Sequence, residues 1–248
     1  MRIVAIGGGE MGEGATLPID KHIVELTGAS WPNALFIPTA SSDSADYAAI
    51  FSRIYGDTLG CNVTTLYLLN DPPPHERTSE MILGADLIYV GGGNTLKLMK
   101  RWRKLGVDKL LIEAAARNKV LCGLSAGELC WFDYGHSDSM SFYHPDDWDY
   151  IRVKCLGLLP FTACPHYDGE NRDKNFQALI AREGGIGIAL DDCAAFEVID
   201  DQYRIITSRE DAGAYRVERV RGNAVQTPIP IRAGFLPLST LQSTIRQS

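Results

Sequence analysis

The pentapeptide Gly-Leu-Ser-Ala-Gly at residues 123–127 has the spacing G-x-S-x-G, which is typical of a nucleophile elbow. In such a turn, small flanking residues permit a strained backbone that exposes the serine hydroxyl, and the next backbone N–H forms half of an oxyanion hole. The pentapeptide lies where an apolar run at 119–124 ends, as expected for a strand that leads into a sharp turn. We therefore predict that Ser125 is a nucleophile.

A serine nucleophile needs a base, and His166 is the candidate among the five histidines. It follows the apolar run 156–164, so a strand there would project it at the same sheet edge as Ser125. The remaining histidines fit the role less well, because they precede the elbow, lie too close to it in sequence or lie in a polar loop: His22, His75, His136 and His144.

The base in turn needs a carboxylate that holds its tautomer, and three aspartates compete for this role. They are Asp168, Asp191 and Asp192. Asp192 lies between two runs that look buried, 187–190 and 194–196, so its carboxylate is unlike ordinary surface charge. The sequence alone barely separates Asp192 from Asp191.

Two glycine-rich turns follow predicted strands. The turn at 91–95, Gly-Gly-Gly-Asn-Thr, leads into a helix, where free backbone N–H groups can bind an anion or a developing oxyanion. A plain tight turn fits this motif equally well when it is taken alone. The turn at 7–12 formally matches G-x-G-x-x-G, but Gly14 and Pro18 interrupt the helix that a dinucleotide site requires. We interpret it as a tight loop at the sheet edge.

Apolar runs that alternate with amphipathic segments predict an α/β fold with an open, mostly parallel sheet and helices on both faces. Closely spaced strands and turn signals at 200–201 and 221–223 add an antiparallel C-terminal extension. We find no linker and predict a single domain over residues 1–248. The predicted strands are 2–6, 34–38, 62–68, 86–90, 119–124, 156–164, 187–190, 194–199 and 202–207, and the predicted helices are 20–26, 44–59, 95–105, 107–118 and 171–183.

The composition narrows the choice of partner. Lys and Arg number 24 against 31 Asp and Glu, so the net charge is 24 − 31 = −7, and no basic run suits duplex nucleic acid or an anionic membrane. The first apolar run is too short for a secretory signal, and we expect a cytoplasmic protein, monomeric or homodimeric. Six scattered cysteines lack zinc or disulfide spacing, which indicates reduced core residues.

Five motifs together resemble the dipeptidase E and cyanophycinase family of serine peptidases. They occur in the family's order at residues 89–95, 123–127, 134–138, 165–166 and 187–192. The order serine, histidine, acid differs from the serine, acid, histidine order of α/β-hydrolases. The resemblance implies a flavodoxin-like fold similar to class I glutamine amidotransferases, with serine in place of their cysteine.

Carried over position by position, the resemblance implies roles for individual residues. Ser125 is the expected nucleophile, His166 its base and Asp192 the acid, at a position where the family usually has glutamate. Glu128 departs from the alanine common after Ser-Ala-Gly. The oxyanion hole is expected from backbone groups of Gly92, Gly93 and Ala126. The residues expected to bind substrate are Asn94, His136, Asp138 beside the amino terminus, and Arg172 on an aspartyl side chain.

The resemblance implies a serine exopeptidase that cleaves small peptides, such as α-aspartyl dipeptides, and requires no metal or organic cofactor. A second hypothesis retains the triad but changes the substrate to a β-aspartyl or cyanophycin-like peptide. A third, from another class, is a non-catalytic amidotransferase-like binding module.

Overall fold

The computed structural model describes residues 1–242, which form two β-sheets and the helices that cover them. The strands are β1 (Arg2–Ile6), β2 (Asn33–Ile37), β3 (Asn62–Thr65), β4 (Leu87–Val90), β5 (Val120–Leu124), β6 (Phe132–Ser137), β7 (Ile151–Lys154), β8 (Leu159–Cys164), β9 (Ile186–Leu190), β10 (Ala194–Ile199), β11 (Gln202–Thr207), β12 (Ala214–Val220), β13 (Asn223–Pro228) and β14 (Leu236–Pro237). The helices are α1 (Leu17–Leu26), α2 (Ala45–Phe51), α3 (His75–Gly84), α4 (Thr95–Leu105), α5 (Val107–Ala116), α6 (Ala126–Leu129), α7 (Arg172–Glu183) and α8 (Ser239–Gln242). A π-helical segment, Ser52–Thr58, continues α2.

The first sheet has the strand order β14-β11-β10-β1-β5-β4-β2-β3. The five strands β1, β5, β4, β2 and β3 are parallel. Crossover connections that contain helices return the chain to the same edge of the sheet before each new strand. The strands β10, β11 and β14 extend the sheet in antiparallel fashion. All carboxyl ends of the parallel strands therefore meet at one edge, where Gly7, Gly91 and Ser125 follow their strands.

Both faces of the first sheet are buried, which explains the uninterrupted apolar runs of its strands. In β1, Val4 and Ile6 face a core shared with α1 and α2. Ile3 and Ala5 face the opposite core, which contains side chains of α3, α4 and α5. Helices thus lie on both faces, as the sequence predicts.

The second sheet has the order β13-β12-β9-β8-β6-β7, with a parallel centre of β6, β8 and β9. Its inner face contributes Phe161 and Ile188 to the core that also contains Ile3 of the first sheet. Its outer face packs against Phe176 and Ile180 of α7. Because one apolar cluster contains residues of both sheets, the sheets are joined through their side chains.

The α/β fold class and the antiparallel extension are confirmed, with corrections to the elements. The strands after Ser125 do not continue the first sheet, because β6, β7, β8 and β9 build the second one. The sequence analysis did not predict β6, β7 or α3. β6 contains polar residues in a mixed burial pattern, and α3 buries only Thr78 and Ile82, so both give weak periodic signals.

The six cysteines are all buried and unpaired, as predicted for reduced core residues. Among residues 1–242, no helix combines the length and the apolar character that crossing a membrane would require.

Candidate active site

Ser125 lies at a strained turn between β5 and α6. Its backbone has φ 56° and ψ −109°, a conformation that non-glycine residues rarely adopt. Glycines on both sides make the turn possible, since a Cβ at either Gly123 or Gly127 would overlap the backbone oxygen of Val90. The serine side chain is partly exposed although its neighbours Leu124 and Ala126 are buried. A strained turn between two glycines thus presents the Ser125 side chain at the edge of the first sheet.

His166 follows β8 and contacts Asp192, which follows β9. The distance between His166 Nδ1 and Asp192 Oδ1 is 2.6 Å, and both side chains are about one third exposed, at 35% and 36%. His166 also has a left-handed backbone, with φ 50°. The hydrogen bond from His166 lowers the pKa of Asp192 below its usual range, against the opposing effect of burial. The carboxylate is therefore ionised at neutral pH and can orient the imidazole.

The two competing aspartates make other contacts. Asp191 Oδ2 accepts a hydrogen bond of 2.8 Å from the backbone N–H of Gly213. Asp168 accepts the backbone N–H of Asp192 at 2.9 Å and pairs with Arg209, also at 2.9 Å. Asp168 thus fixes the loop that contains Asp192, and Asp192 is the aspartate that contacts His166.

The glycine-rich turn after β1 connects all three loops of this constellation. The carbonyl of Ile6 accepts the N–H of Ser125 at 3.0 Å, and the carbonyl of Gly7 accepts the N–H of His166 at 3.1 Å. The carbonyl of Gly8 accepts the N–H of Cys193, the neighbour of Asp192, at 3.0 Å. Successive carbonyls of one turn therefore set the relative positions of the three loops.

Gly8 lies directly against the His166–Asp192 pair. A Cβ at this position would overlap Asp192 Oδ1 and the imidazole of His166. The sequence alone predicts this turn only as a tight loop at the sheet edge. The turn is indeed tight, but the absence of a side chain at Gly8 is also what permits the histidine and the aspartate to meet there.

The second glycine-rich turn, after β4, lies beside Ser125. A Cβ at Gly92 would lie 3.5 Å from the Cβ of Ser125. Gly93 has φ 130°, and a Cβ there would overlap the backbone of Ala40. Within residues 1–242, the backbone N–H groups of Gly93 and Ala126 have no hydrogen-bond acceptor. Such free N–H groups beside a nucleophile can stabilise an oxyanion.

Ser125 and His166 line the same cavity, which has a volume of about 360 Å³. Its wall also contains Glu10 and Tyr47. Burial raises the pKa of Tyr47 to about 12, so its hydroxyl remains protonated at neutral pH, and a hydrogen bond from the Gly92 backbone opposes that rise. No hydrogen bond joins Ser125 to His166 in the described part of the chain. Catalytic hydrogen bonds of this kind often tighten only when substrate binds.

The four residues expected to bind substrate lie outside the lining of this cavity. Arg172 is buried, lies 3.5 Å from Asp138 and donates to the carbonyl of His136 at 3.1 Å. The His136 ring stacks on Tyr150, and burial lowers the pKa of His136 to about 3. Arg172, Asp138 and His136 therefore form one cluster.

Asn94 has a structural position. Its side chain caps α4 by accepting the N–H of Lys97 at 2.9 Å, and it donates to the carbonyl of Ser139 at 3.2 Å. These bonds fix the second glycine-rich turn to the loop after β6.

Glu128 is a buried carboxyl on α6, just after the elbow. It is 0% exposed, and neither side-chain oxygen has a partner among residues 1–242. Burial raises its pKa well above the usual range, the charge of Arg172 opposes this, and the charge of Asp192 adds to it. The neutral form of the Glu128 carboxyl is therefore favoured.

Sequence reasoning missed Gly8, Glu10 and Tyr47. The first two belong to the G-x-G-x-x-G turn, and its position after β1 was the available signal. Tyr47 lies on α2, and no motif in the sequence connects it with the elbow.

Comparisons with known proteins define the class. Residues 3–206 match peptidase family S51, and the chain belongs to this family. The resemblance stated from the motifs is thereby confirmed, and the chain is a member of a peptidase family.

Two relatives and one solved structure illustrate the similarity. The chain is 36% identical over 235 residues to the uncharacterized peptidase YgaJ of Bacillus subtilis (strain 168), covering 93% of this chain and 98% of that protein. It is 28% identical over 159 residues to Peptidase E of Citrobacter koseri, covering 60% and 64% of the two chains. The crystal structure of a peptidase from an acI-B1 Actinobacterium has a TM-score of 0.70 at 18% identity, over 95% and 96% of the chains, and shows the fold alone.

Proposed function

We propose that this member of peptidase family S51 is a serine exopeptidase of the dipeptidase E type, which hydrolyses short peptides through an acyl-enzyme. The observation on which the proposal depends is the His166–Asp192 contact of 2.6 Å, next to a strained Ser125 that lines the same cavity as His166. Relatives named Peptidase E support the type of activity. The alternative of a non-catalytic module does not explain why a nucleophile, a base and an acid occur together.

In the proposed reaction, His166 removes the proton of Ser125 as the serine oxygen attacks the peptide carbonyl carbon. The Asp192 carboxylate stabilises the imidazolium that forms and maintains its orientation. The N–H groups of Gly93 and Ala126 donate to the oxyanion, whereas the backbone of Gly92 is hydrogen-bonded to the Tyr47 hydroxyl. His166 then protonates the leaving amine, and the C–N bond breaks to leave an ester on Ser125. Water hydrolyses this ester by the reverse sequence of proton transfers.

The finer part of the proposal is a preference for an acidic first residue. It rests on the family resemblance at Arg172, whose side chain is buried 3.5 Å from Asp138 and outside the lining of the cavity. α-Aspartyl, β-aspartyl and alanyl dipeptides with a common second residue test this preference. We expect the highest kcat/KM for the α-aspartyl dipeptide, and equal values for the alanyl dipeptide would reject the preference.

The triad is tested with a fluorophosphonate probe and peptide hydrolysis. We expect wild-type protein to be labelled and Ser125→Ala to be unlabelled, with kcat lowered on the order of 10⁴- to 10⁶-fold. Asp192→Asn should lower kcat on the order of 10²- to 10⁴-fold, because a neutral amide does not stabilise the imidazolium and does not enforce the tautomer of the base. Asp191→Asn is the matched control, and a larger loss for it than for Asp192→Asn would reassign the acid. Equal labelling of wild type and Ser125→Ala would refute the serine mechanism.

A further inference from the structure

Glu10 is the acidic side chain in the wall of the cavity that contains Ser125 and His166. It is exposed, and its carboxylate has no hydrogen bond or ion pair within residues 1–242. Its negative charge contributes to the raised pKa of Tyr47, whose ring lines the same cavity. The only other ionisable groups in this wall are the Tyr47 hydroxyl and the His166 imidazole. Glu10 thus adds an unpaired carboxylate to the wall of the cavity that Ser125 lines.

The other carboxylates around the elbow are already engaged or enclosed. Asp192 is bonded to His166, and Asp138 lies 3.5 Å from the buried guanidinium of Arg172. Glu128 is completely buried, and its raised pKa favours the neutral form. None of these three carboxylates is in the lining of the cavity. Glu10 is therefore the carboxylate best placed to meet a cation that enters.

The backbone around Glu10 is fixed in the folded protein. The Glu10 carbonyl accepts the N–H groups of Glu13 and Ala15 at 3.2 and 3.1 Å. Arg53, in the π-helical segment Ser52–Thr58, donates to the carbonyl of Gly12 at 3.0 Å and so connects this segment to the turn. Gly8, two residues earlier, is bonded to Cys193 of the triad's acid loop. These bonds fix the backbone from which the Glu10 side chain extends, so its Cα has a defined position in the wall of the cavity that Ser125 also lines.

We infer that Glu10 binds the free α-ammonium group of the peptide substrate and so selects peptides with an unblocked amino terminus. The inference rests on the proposed function, and it names the group that makes the enzyme an exopeptidase. In a substrate cleaved after its first residue, the ammonium nitrogen is attached to the carbon next to the attacked carbonyl, so it enters the same cavity. Glu10 accepts charge-assisted hydrogen bonds from this nitrogen.

The experiment compares alanyl and aspartyl 4-nitroanilides, each with a free and with an acetylated amino group. Acetylation removes the positive charge and leaves the scissile bond in place. For the wild type we expect kcat/KM to be higher for the free substrates. In Glu10→Gln this preference should fall about 10- to 100-fold, chiefly through KM, because a charged hydrogen bond is replaced by a neutral one. Glu13→Gln, in the same exposed turn but outside the cavity lining, should retain the preference.

The possible outcomes separate the inference from the proposed function. If the wild type hydrolyses the nitroanilides and Glu10→Gln retains the preference for free amines, the inference is overturned and the serine peptidase stands. If Asp138→Asn removes the preference while Glu10→Gln does not, the ammonium site belongs to the cluster around Arg172. If fluorophosphonate does not label Ser125 and no substrate is cleaved, both proposals fail. Loss of the preference in Glu10→Gln with labelling of Ser125 intact supports both.

Discussion

At the scale of single residues, the site depends on unusual backbone conformations at three neighbouring positions. Ser125, His166 and Cys193 all have positive φ, at 56°, 50° and 67°. Each strained residue is bonded through its N–H to a carbonyl of the turn after β1. Non-glycine residues keep such conformations only where the surroundings enforce them. The backbone of the turn after β1 is thus part of the site, because it sets the positions of all three residues.

Gly8→Ala tests this interpretation of the turn. The added Cβ would overlap both His166 and Asp192, so the imidazole and the carboxylate must move apart. We expect kcat/KM to fall at least about 100-fold, since small displacements of catalytic groups have effects of this size. The comparison is with Gly84→Ala at the end of α3, where a new Cβ meets open space.

Circular dichroism should show native folding of both glycine variants, so that the activity difference reflects the site. Wild-type kcat/KM in folded Gly8→Ala would contradict the close packing of this turn on the pair.

At the scale of elements, α1 contains a carboxyl that opposes folding at neutral pH. Asp20 is 1% exposed, and burial raises its pKa from 3.8 to about 6, while hydrogen bonds from Thr16 and Tyr55 reduce the rise. These bonds measure 2.7 and 2.8 Å. Between pH 4 and 6 the folded chain holds a proton that the unfolded chain has lost. The free energy of unfolding therefore decreases as the pH rises through this interval.

Asp20→Asn should remove this contribution. The amide can retain both hydrogen bonds, with its oxygen accepting from Tyr55 and its nitrogen donating to Thr16. Between pH 4 and pH 7, the free energy of unfolding of the wild type should fall by up to about 3 kcal/mol more than that of the variant. This amount corresponds to the rise in the pKa of Asp20 on folding. Urea unfolding at several pH values measures the difference. Asp46→Asn, on the exposed first turn of α2, is the control. Parallel curves for wild type and Asp20→Asn would refute the assignment.

The sequence predicts the elements of the first sheet well and those of the second sheet less completely. Strands such as β1 and β5 are continuous apolar runs because both faces of the sheet are covered, and such runs are recognisable without a structure. β6 contains aspartate, tyrosine, glycine, histidine and serine, whose burial depends on partners from distant parts of the chain. Long-range pairing of this kind has no local periodic signal.

The residues of the candidate site also differ in how far the sequence predicts them. The motifs indicated Ser125 and His166, because a nucleophile elbow and a histidine after a strand have local signatures. The residue pattern alone barely separates Asp192 from Asp191, and the family resemblance favours Asp192. The coordinates show that Asp192 is the aspartate in contact with His166. The contact of Gly8 with His166 and the place of Glu10 in the same cavity also needed the coordinates, because both arise where the turn after β1 meets loops of the second sheet.

At the scale of the whole molecule, the site lies where the two sheets meet. Ser125 follows β5 of the first sheet, and His166 follows β8 of the second. Asp192 lies on the connection from β9 to β10, which passes from the second sheet to the first. The three groups can therefore come together only when both sheets are formed and docked. This arrangement supports the expectation of a single domain, which unfolding experiments can test.

Phe196 of β10 is the side chain with which to test the coupling of the sheets. It is completely buried and contacts Phe132 and Phe161 of the second sheet, with ring centroids 6.2 and 6.3 Å away. Phe196→Ala should lower the free energy of unfolding by about 3 to 5 kcal/mol, because it leaves a cavity between the sheets. Phe142→Ala, at a side chain that is 57% exposed, should change it little.

If the two sheets form one cooperative unit, peptidase activity, tryptophan fluorescence and far-ultraviolet circular dichroism will be lost together in urea, in the wild type and in Phe196→Ala alike. The variant will simply unfold at a lower urea concentration. The alternative is that the first sheet, whose strand β5 precedes Ser125, folds without the second sheet, whose strand β8 precedes His166. Activity would then disappear in an earlier transition than the circular dichroism, and the single-domain interpretation would be rejected.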